Sequence, residues 1–259
     1  MWGAGNSRRP GSSGGDRARE VVPTFVRGFD DELGGGVPRG HVVLLRGSTG
    51  TMKSSLAYSI LHGNALAGRK GLYVTLEQDV VGLLHHVAAL GMDPRTVSDG
   101  VAFLDLSRGR EQLEELAAKM EDMSDGRIAQ PKTAILKAEL TRLRREHGYD
   151  LLVIDSWRPL QLILEFREPR AETFALFEWL RGLGCTTFLI AELPSPTSDE
   201  GLEEEFLADG VFHLKLEPVT PVSFQRRIQC AKMRSANHSS DFFTLVLEGG
   251  RFEIARAIS

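Results

Sequence analysis

Apolar and polar positions recur along the chain with two periods, and the switches between them mark short strands and longer helices. HVVLLRG at 41–47 is a near-continuous apolar run of strand length, and KSSLAYSILHGNALAG at 53–68 follows with helical spacing that ends near Gly68. GLYVTLE at 71–77 reads as the next strand, followed by a helix over 79–90 that Gly91 stops. VAFLDLS at 101–107 predicts a strand and EQLEELAAKM at 111–120 a helix. Asp125, Gly126 and Pro131 break that pattern before TAILKAELTRLRREHG at 133–148 resumes it. DLLVIDS at 150–156 is a strand ending on an acid, ETFALFEWLRGLG at 172–184 a helix, and CTTFLIAE at 185–192 a strand. Strands alternating with crossover helices predict an α/β fold with a mainly parallel sheet and helices on both faces. Beyond Gly210, GVFHLKL, FQRRIQCAKMR, DFFTLVLE and RFEIA follow one another with only turns between, which predicts an antiparallel C-terminal extension.

Composition changes this picture little. Of 259 residues, 42% are hydrophobic and 25% charged, enough apolar material for a core. Residues 1–20 are mostly Gly, Ser, Arg and Pro and read as a disordered tail, leaving 21–259 as one domain. With 35 acidic and 31 basic residues the net charge is −4, so there is no general pull toward nucleic acid or an anionic membrane. No apolar run approaches the roughly 18 residues of a spanning helix. Arg8, Arg9, Arg17 and Arg19 are followed by no apolar stretch, so the start is not read as a secretory signal. Cys185 and Cys230 sit in apolar runs and read as reduced core thiols of a cytoplasmic protein.

In open parallel sheets, ligands bind beyond the carboxyl ends of the strands. GSTGTMKSS at 47–55 lies there, between a strand and a helix, where backbone N–H groups and a helix N-terminus face an anion. Gly47, Ser48, Thr49, Gly50, Thr51, Met52, Lys53, Ser54 and Ser55 are therefore candidate nucleotide-binding residues. Lys53 would reach the β- and γ-phosphates of ATP, and the Ser54 hydroxyl would ligate Mg²⁺. The pattern G-x-x-x-x-G-K-[ST] is met at Gly47, Lys53 and Ser54, but Met52 replaces the second glycine, so the loop either binds with a distortion or survives for folding alone.

Asp155, ending DLLVID, fits a Walker-B carboxylate that holds a water on the Mg²⁺ at Ser54. Glu77, ending GLYVTLE, would orient and polarise an attacking water, with Gln78 beside it contributing only a neutral amide. Glu192, at the end of the strand over 185–192, is a weaker candidate for sensing the γ-phosphate. His85 and His86, adjacent on a helix, face different ways and lack a partner at ligand spacing. Trp157, Tyr73 and Phe103 read as core. The stretch 193–210 carries Asp199, Glu200, Glu203, Glu204, Glu205 and Asp209 without a Lys or Arg. It reads as a solvated acidic loop that repels nucleic acid.

In order, GFDDELGGGVPRGHVVLLRGSTGTMKSS, GLYVTLEQ, YDLLVIDSW, LADGVFHLKL and AKMRSANH resemble the KaiC-like branch of the RecA-type P-loop ATPases, over about residues 25–255. The resemblance implies a RecA-type fold that assembles into a ring, usually a hexamer, with ATP held between copies. It implies that Glu77 is the catalytic glutamate, with Gln78 where many members carry a second one. It also implies that Lys232, Arg234 and His238, matching K-x-R-x-x-x-H, reach the neighbour's nucleotide. Independently, Lys232 and Arg234 are two apart on a strand and share one face, which suits a phosphate from a neighbouring copy or, equally, two solvated edge charges. Autokinase activity is not carried over.

Three functions follow from these readings. The first is a ring-forming ATPase that couples nucleotide state to a protein partner. The second is a nucleotide-binding scaffold with little hydrolysis, motivated by Met52 and Gln78. The third, a DNA recombination accessory, rests on fold analogy, and the acidic stretch weighs against it.

Overall fold

The computed structural model describes residues 20–121, 131–193 and 202–256. Apart from Glu20, the expected tail lies outside the described residues, as do Asp125, Gly126, Asp199 and Glu200. Two short strands, β1 (Val21–Val22) and β2 (Val37–Pro38), pair antiparallel around α1 (Phe29–Glu32). The body continues through β3 (Val42–Gly47), α2 (Lys53–Leu66), β4 (Gly71–Thr75), α3 (Val80–Ala89), a 3₁₀ turn at Pro94–Val97, β5 (Val101–Asp105), α4 (Arg110–Glu121) and α5 (Lys132–His147). It then runs through β6 (Leu151–Asp155), α6 (Trp157–Leu164), α7 (Pro169–Leu183), β7 (Thr186–Glu192) and α8 (Leu202–Leu207). The chain closes with β8 (Gly210–Thr220), β9 (Ser223–Met233), β10 (Phe243–Glu248) and β11 (Arg251–Ala255).

One nine-stranded sheet in the order β11-β10-β9-β8-β3-β7-β6-β4-β5 carries the fold. Strands β8, β3, β7, β6, β4 and β5 pair in parallel, while β8 through β11 form antiparallel pairs. This is the α/β architecture with an antiparallel extension that the hydrophobic pattern predicts. Successive residues of a strand point to opposite faces, so each central strand feeds two cores. Val43, Leu45, Tyr73, Val153 and Phe188 pack with Leu56, Ile60 and Leu61 of α2. Val42, Leu44, Leu72, Leu152 and Leu189 pack with Leu140 of α5, Leu160 of α6 and Phe177 of α7. Cys185 and Cys230 are buried free thiols, as expected.

Two helices escape the periodicity. In α6, WRPLQLIL, Pro159 interrupts the pattern on paper, but it stands in the first turn, where its missing N–H costs no intrahelical bond. Helix α8 lies inside the stretch expected to be a solvated loop. No helix among the described residues is long and apolar enough to cross a membrane.

Because the central strands run the same way, their carboxyl ends share one edge. Gly47 is level with Glu192, and Thr75 is level with Asp155. The amino end of β3 lies level with the start of β8, and through it with Met233 at the end of β9.

Candidate functional site

The loop after β3 leaves the sheet at Gly47 and enters α2 at Lys53. Gly47 is a close-approach position: a Cβ there would lie 2.4 Å from the Leu214 carbonyl oxygen of β8. Thr51 closes a turn inside the loop by donating its Oγ1–H to the Ser48 carbonyl at 2.7 Å. Ser48, Thr49 and Gly50 stay exposed at the tip. Met52 is the N-cap of α2 with φ 69° and ψ 32°, in the left-handed region. That is the conformation a glycine adopts without strain. The loop therefore keeps the phosphate-cradle path with a methionine at the glycine position, and the thioether side chain packs against the core under α2.

Lys53 is buried, and its Nζ donates to the carbonyls of Gly47 at 2.9 Å and Ser48 at 3.0 Å. Burial lowers its pKa, opposed by the negative charges of Glu192, Glu77 and Asp155, which all act on this one ammonium. These three acids end β7, extend β4 and end β6, so the sheet edge gathers them around the loop.

Asp155 is nearly fully buried and accepts a 2.5 Å bond from the Tyr73 hydroxyl of β4. Burial raises the Asp155 pKa, and the hydroxyls of Tyr73 and Ser54 oppose the rise. Glu77 is exposed and accepts from the Ser156 hydroxyl, adjacent to Asp155. Ser55 turns away from the loop, its Oγ 3.1 Å from Nε2 of His86 on α3.

Sequence reasoning missed four participants. Tyr73 reads as core from its place in an apolar strand, and it is fully buried, yet its hydroxyl contacts the Asp155 carboxylate. Ser156 holds Glu77. Arg226 of β9 reaches back over the loop, with Nε 3.3 Å from the Gly50 carbonyl. Arg46, directly before Gly47, is buried and ion-paired to Glu205 at 2.7 Å. A charged residue at the end of an otherwise apolar strand is the one sequence signal that marks it.

Lys232 and Arg234 lie elsewhere. They sit by the end of β9 that is level with the start of β3, while Gly47 is level with Leu214. Four residues of strand separate those levels, about 13 Å. The two cations do share a face, as their spacing predicts. Lys232 Nζ donates to the carbonyls of Glu205 at 2.8 Å and Phe206 at 3.2 Å, and Arg234 Nη2 donates to Phe206 at 3.0 Å. Arg234 is also ion-paired with Asp209 at 2.9 Å. His238 follows in the next turn, its Nδ1 buried without a hydrogen-bond partner.

Over its described residues 202–210, the reading of 193–210 as a solvated acidic loop is corrected here. Glu204 accepts from the Trp157 indole N–H at 2.8 Å, Glu205 pairs with Arg46 and His213, and Asp209 pairs with Arg181 and Arg234. These carboxylates are held in place by buried or half-buried donors, which composition cannot show because the partners come from β3, α6, α7, β8 and the turn after β9.

The donor set suits a phosphate with a hard divalent cation. A hydroxyl and a carboxylate converge at Ser54 and Asp155, the oxygen ligands that Mg²⁺ takes alongside phosphates and water. Among the described residues, no three His, Cys, Asp or Glu side chains gather into a metal cluster.

The model of the family described as "ATPase: KaiC" matches residues 22–256. The UPF0273 protein of Aeropyrum pernix is 30% identical over 220 residues, covering 84% of this chain and 86% of that protein. The circadian clock protein KaiC2 of Synechocystis is 27% identical over 237 residues, 87% of this chain but 38% of that protein, so the chain spans less than half of that clock protein. The crystal structure of a KaiC-like protein from Pyrococcus horikoshii aligns with a TM-score of 0.74 at 27% identity, covering 92% of this chain and 99% of that one. The chain belongs to the KaiC ATPase family, a RecA-like, P-loop family of ATP-binding proteins.

Proposed function

We propose that the chain hydrolyses ATP at joints between copies of itself, arranged head to tail in a ring, and that it passes nucleotide state to a protein partner. The observation that carries this reading is the separation of two half-sites. The loop with Lys53, Ser54, Asp155 and Glu77 occupies one edge of the sheet, and Lys232 with Arg234 lies near the other. One copy cannot bring both to a single nucleotide, whereas a head-to-tail contact joins unlike faces and closes into a ring when the rotation permits.

In this reading the exposed backbone of Ser48, Thr49 and Gly50, with the start of α2, receives the phosphates. Lys53 turns from the loop carbonyls to the β- and γ-oxygens. Ser54 and Asp155 hold Mg²⁺, which when bound neutralises charge on the phosphates. Glu77, oriented by Ser156, positions the attacking water and takes up its proton. Lys232 and Arg234 of the next copy stabilise the charge that develops on the transferred phosphoryl group. Positioning and electrostatics of this kind supply most of what phosphoryl transfer requires.

Turnover per copy, measured against protein concentration, tests this. The rate is expected to fall as dilution takes the chain to monomers, and a rate that stays flat contradicts the shared site. A second reading, a nucleotide-binding scaffold with little turnover, is favoured by Met52 in a strained conformation and by Gln78 beside the single Glu77. Calorimetric ATP binding without phosphate release, at concentrations where the chain is assembled, selects it.

A further inference from the structure

Helix α8 has six residues, too few to hold its own position, so its place is set by side-chain ties. Three consecutive residues make ties in different directions. Glu204 accepts from the Trp157 indole, two residues past Asp155. Glu205 pairs with Arg46, the residue before Gly47. The carbonyls of Glu205 and Phe206 receive Lys232, and that of Phe206 also receives Arg234. One turn of helix thus joins the base of the phosphate loop and the end of the Asp155 strand to both cations at the far edge.

Arg46 is the unusual member. Its side chain is 1% exposed, and its Nε has no hydrogen-bond partner. A buried ion pair is seldom more stabilising than apolar residues of the same volume, so stability alone does not account for an arginine here. A fixed charge pair does set register between two elements.

We propose that Glu204 and Glu205 of α8, through Trp157 and Arg46, are positioning residues that couple the nucleotide site of one copy to the pose in which that copy presents Lys232 and Arg234 to its neighbour. This rests on the shared-site reading above. A shift of the loop at Gly47, or of β6 at Asp155, moves α8 through two ties, and α8 moves the carbonyls on which both cations rest. The coupling runs within one chain, from its own nucleotide to the next copy's.

The test uses the full chain diluted to monomers, with the acetylation rate of Lys232 by acetic anhydride read by mass spectrometry with and without Mg²⁺ and ATP. In the native chain nucleotide is expected to change that rate about fivefold, the scale of an ordinary coupling between sites. The variant Arg46→Met with Trp157→Phe cuts both ties while keeping apolar volume. It is expected still to bind ATP by calorimetry, so that nucleotide occupancy can be matched to the native chain, and to lose the response of Lys232 at equal occupancy. Arg46→Lys, which keeps a cation facing Glu205, restores it in part. If the double variant fails to fold, each single substitution is expected to reduce the response. Native chain that binds ATP with no change at Lys232 overturns the coupling alone, as does a folded double variant that responds fully. Native chain that binds no ATP overturns the shared-site reading, and the coupling with it.

Discussion

Met52 holds a left-handed conformation that costs a non-glycine residue about 1 kcal/mol, while its side chain gains packing against the core. The two effects separate by substitution. Met52→Gly removes both and is expected to lie within about 1 kcal/mol of the native chain. Met52→Ala keeps the strain, loses the packing, and is expected to be destabilised by about 1–2 kcal/mol. Urea unfolding checks the order, and an alanine variant as stable as the glycine one would remove the strain argument. Freed of the Cβ, Met52→Gly is also expected to bind ATP more tightly. Asp155 offers a pH test. Burial raises its folded pKa above the unfolded value, so its contribution to stability is present below the usual carboxylate range and lost as pH rises through the folded value. At neutral pH the buried charge is a cost in the free protein. Asp155→Asn is therefore expected to raise the melting temperature at pH 7 while weakening Mg²⁺-dependent nucleotide binding, and a lowered melting temperature there would contradict it.

At the scale of elements, the contact between β3 and β8 shapes the loop. An added Cβ at Gly47 would press on the Leu214 carbonyl at 2.4 Å and Thr51 Oγ1 at 2.8 Å. Gly47→Ala is expected to cost about 1–3 kcal/mol, read by thermal melting, and to reduce ATP binding together with stability. The sheet itself was legible in the sequence, because β3, β4, β6 and β7 are apolar runs buried on both faces, and a strand-loop-helix with Lys53 and Ser54 has few other readings. Polar ties between distant segments were not legible. Tyr73 looks like any strand aromatic until β6 places Asp155 beside it, and Glu204, Glu205 and Asp209 look solvated until Trp157, Arg46 and Arg181 arrive from other elements. Local pattern reports which face of an element is apolar, but it does not report which donor meets which acceptor across 28 to 159 residues of chain.

For the whole molecule, the sheet works as a spacer. It holds a phosphate loop at one edge and two cations by the other, and α8 ties the two ends together within the chain. A ring built this way has as many sites as copies, each made from two chains, and substitutions in different halves should therefore compensate across copies. Mixing copies carrying Lys53→Ala with copies carrying Lys232→Ala and Arg234→Ala tests that most directly, with phosphate release as the readout. Each variant alone is expected to be inactive, and the mixture to recover activity at joints where a native loop meets native cations. An inactive mixture that still assembles, or full activity from the Lys232 and Arg234 variant alone, would contradict the shared site.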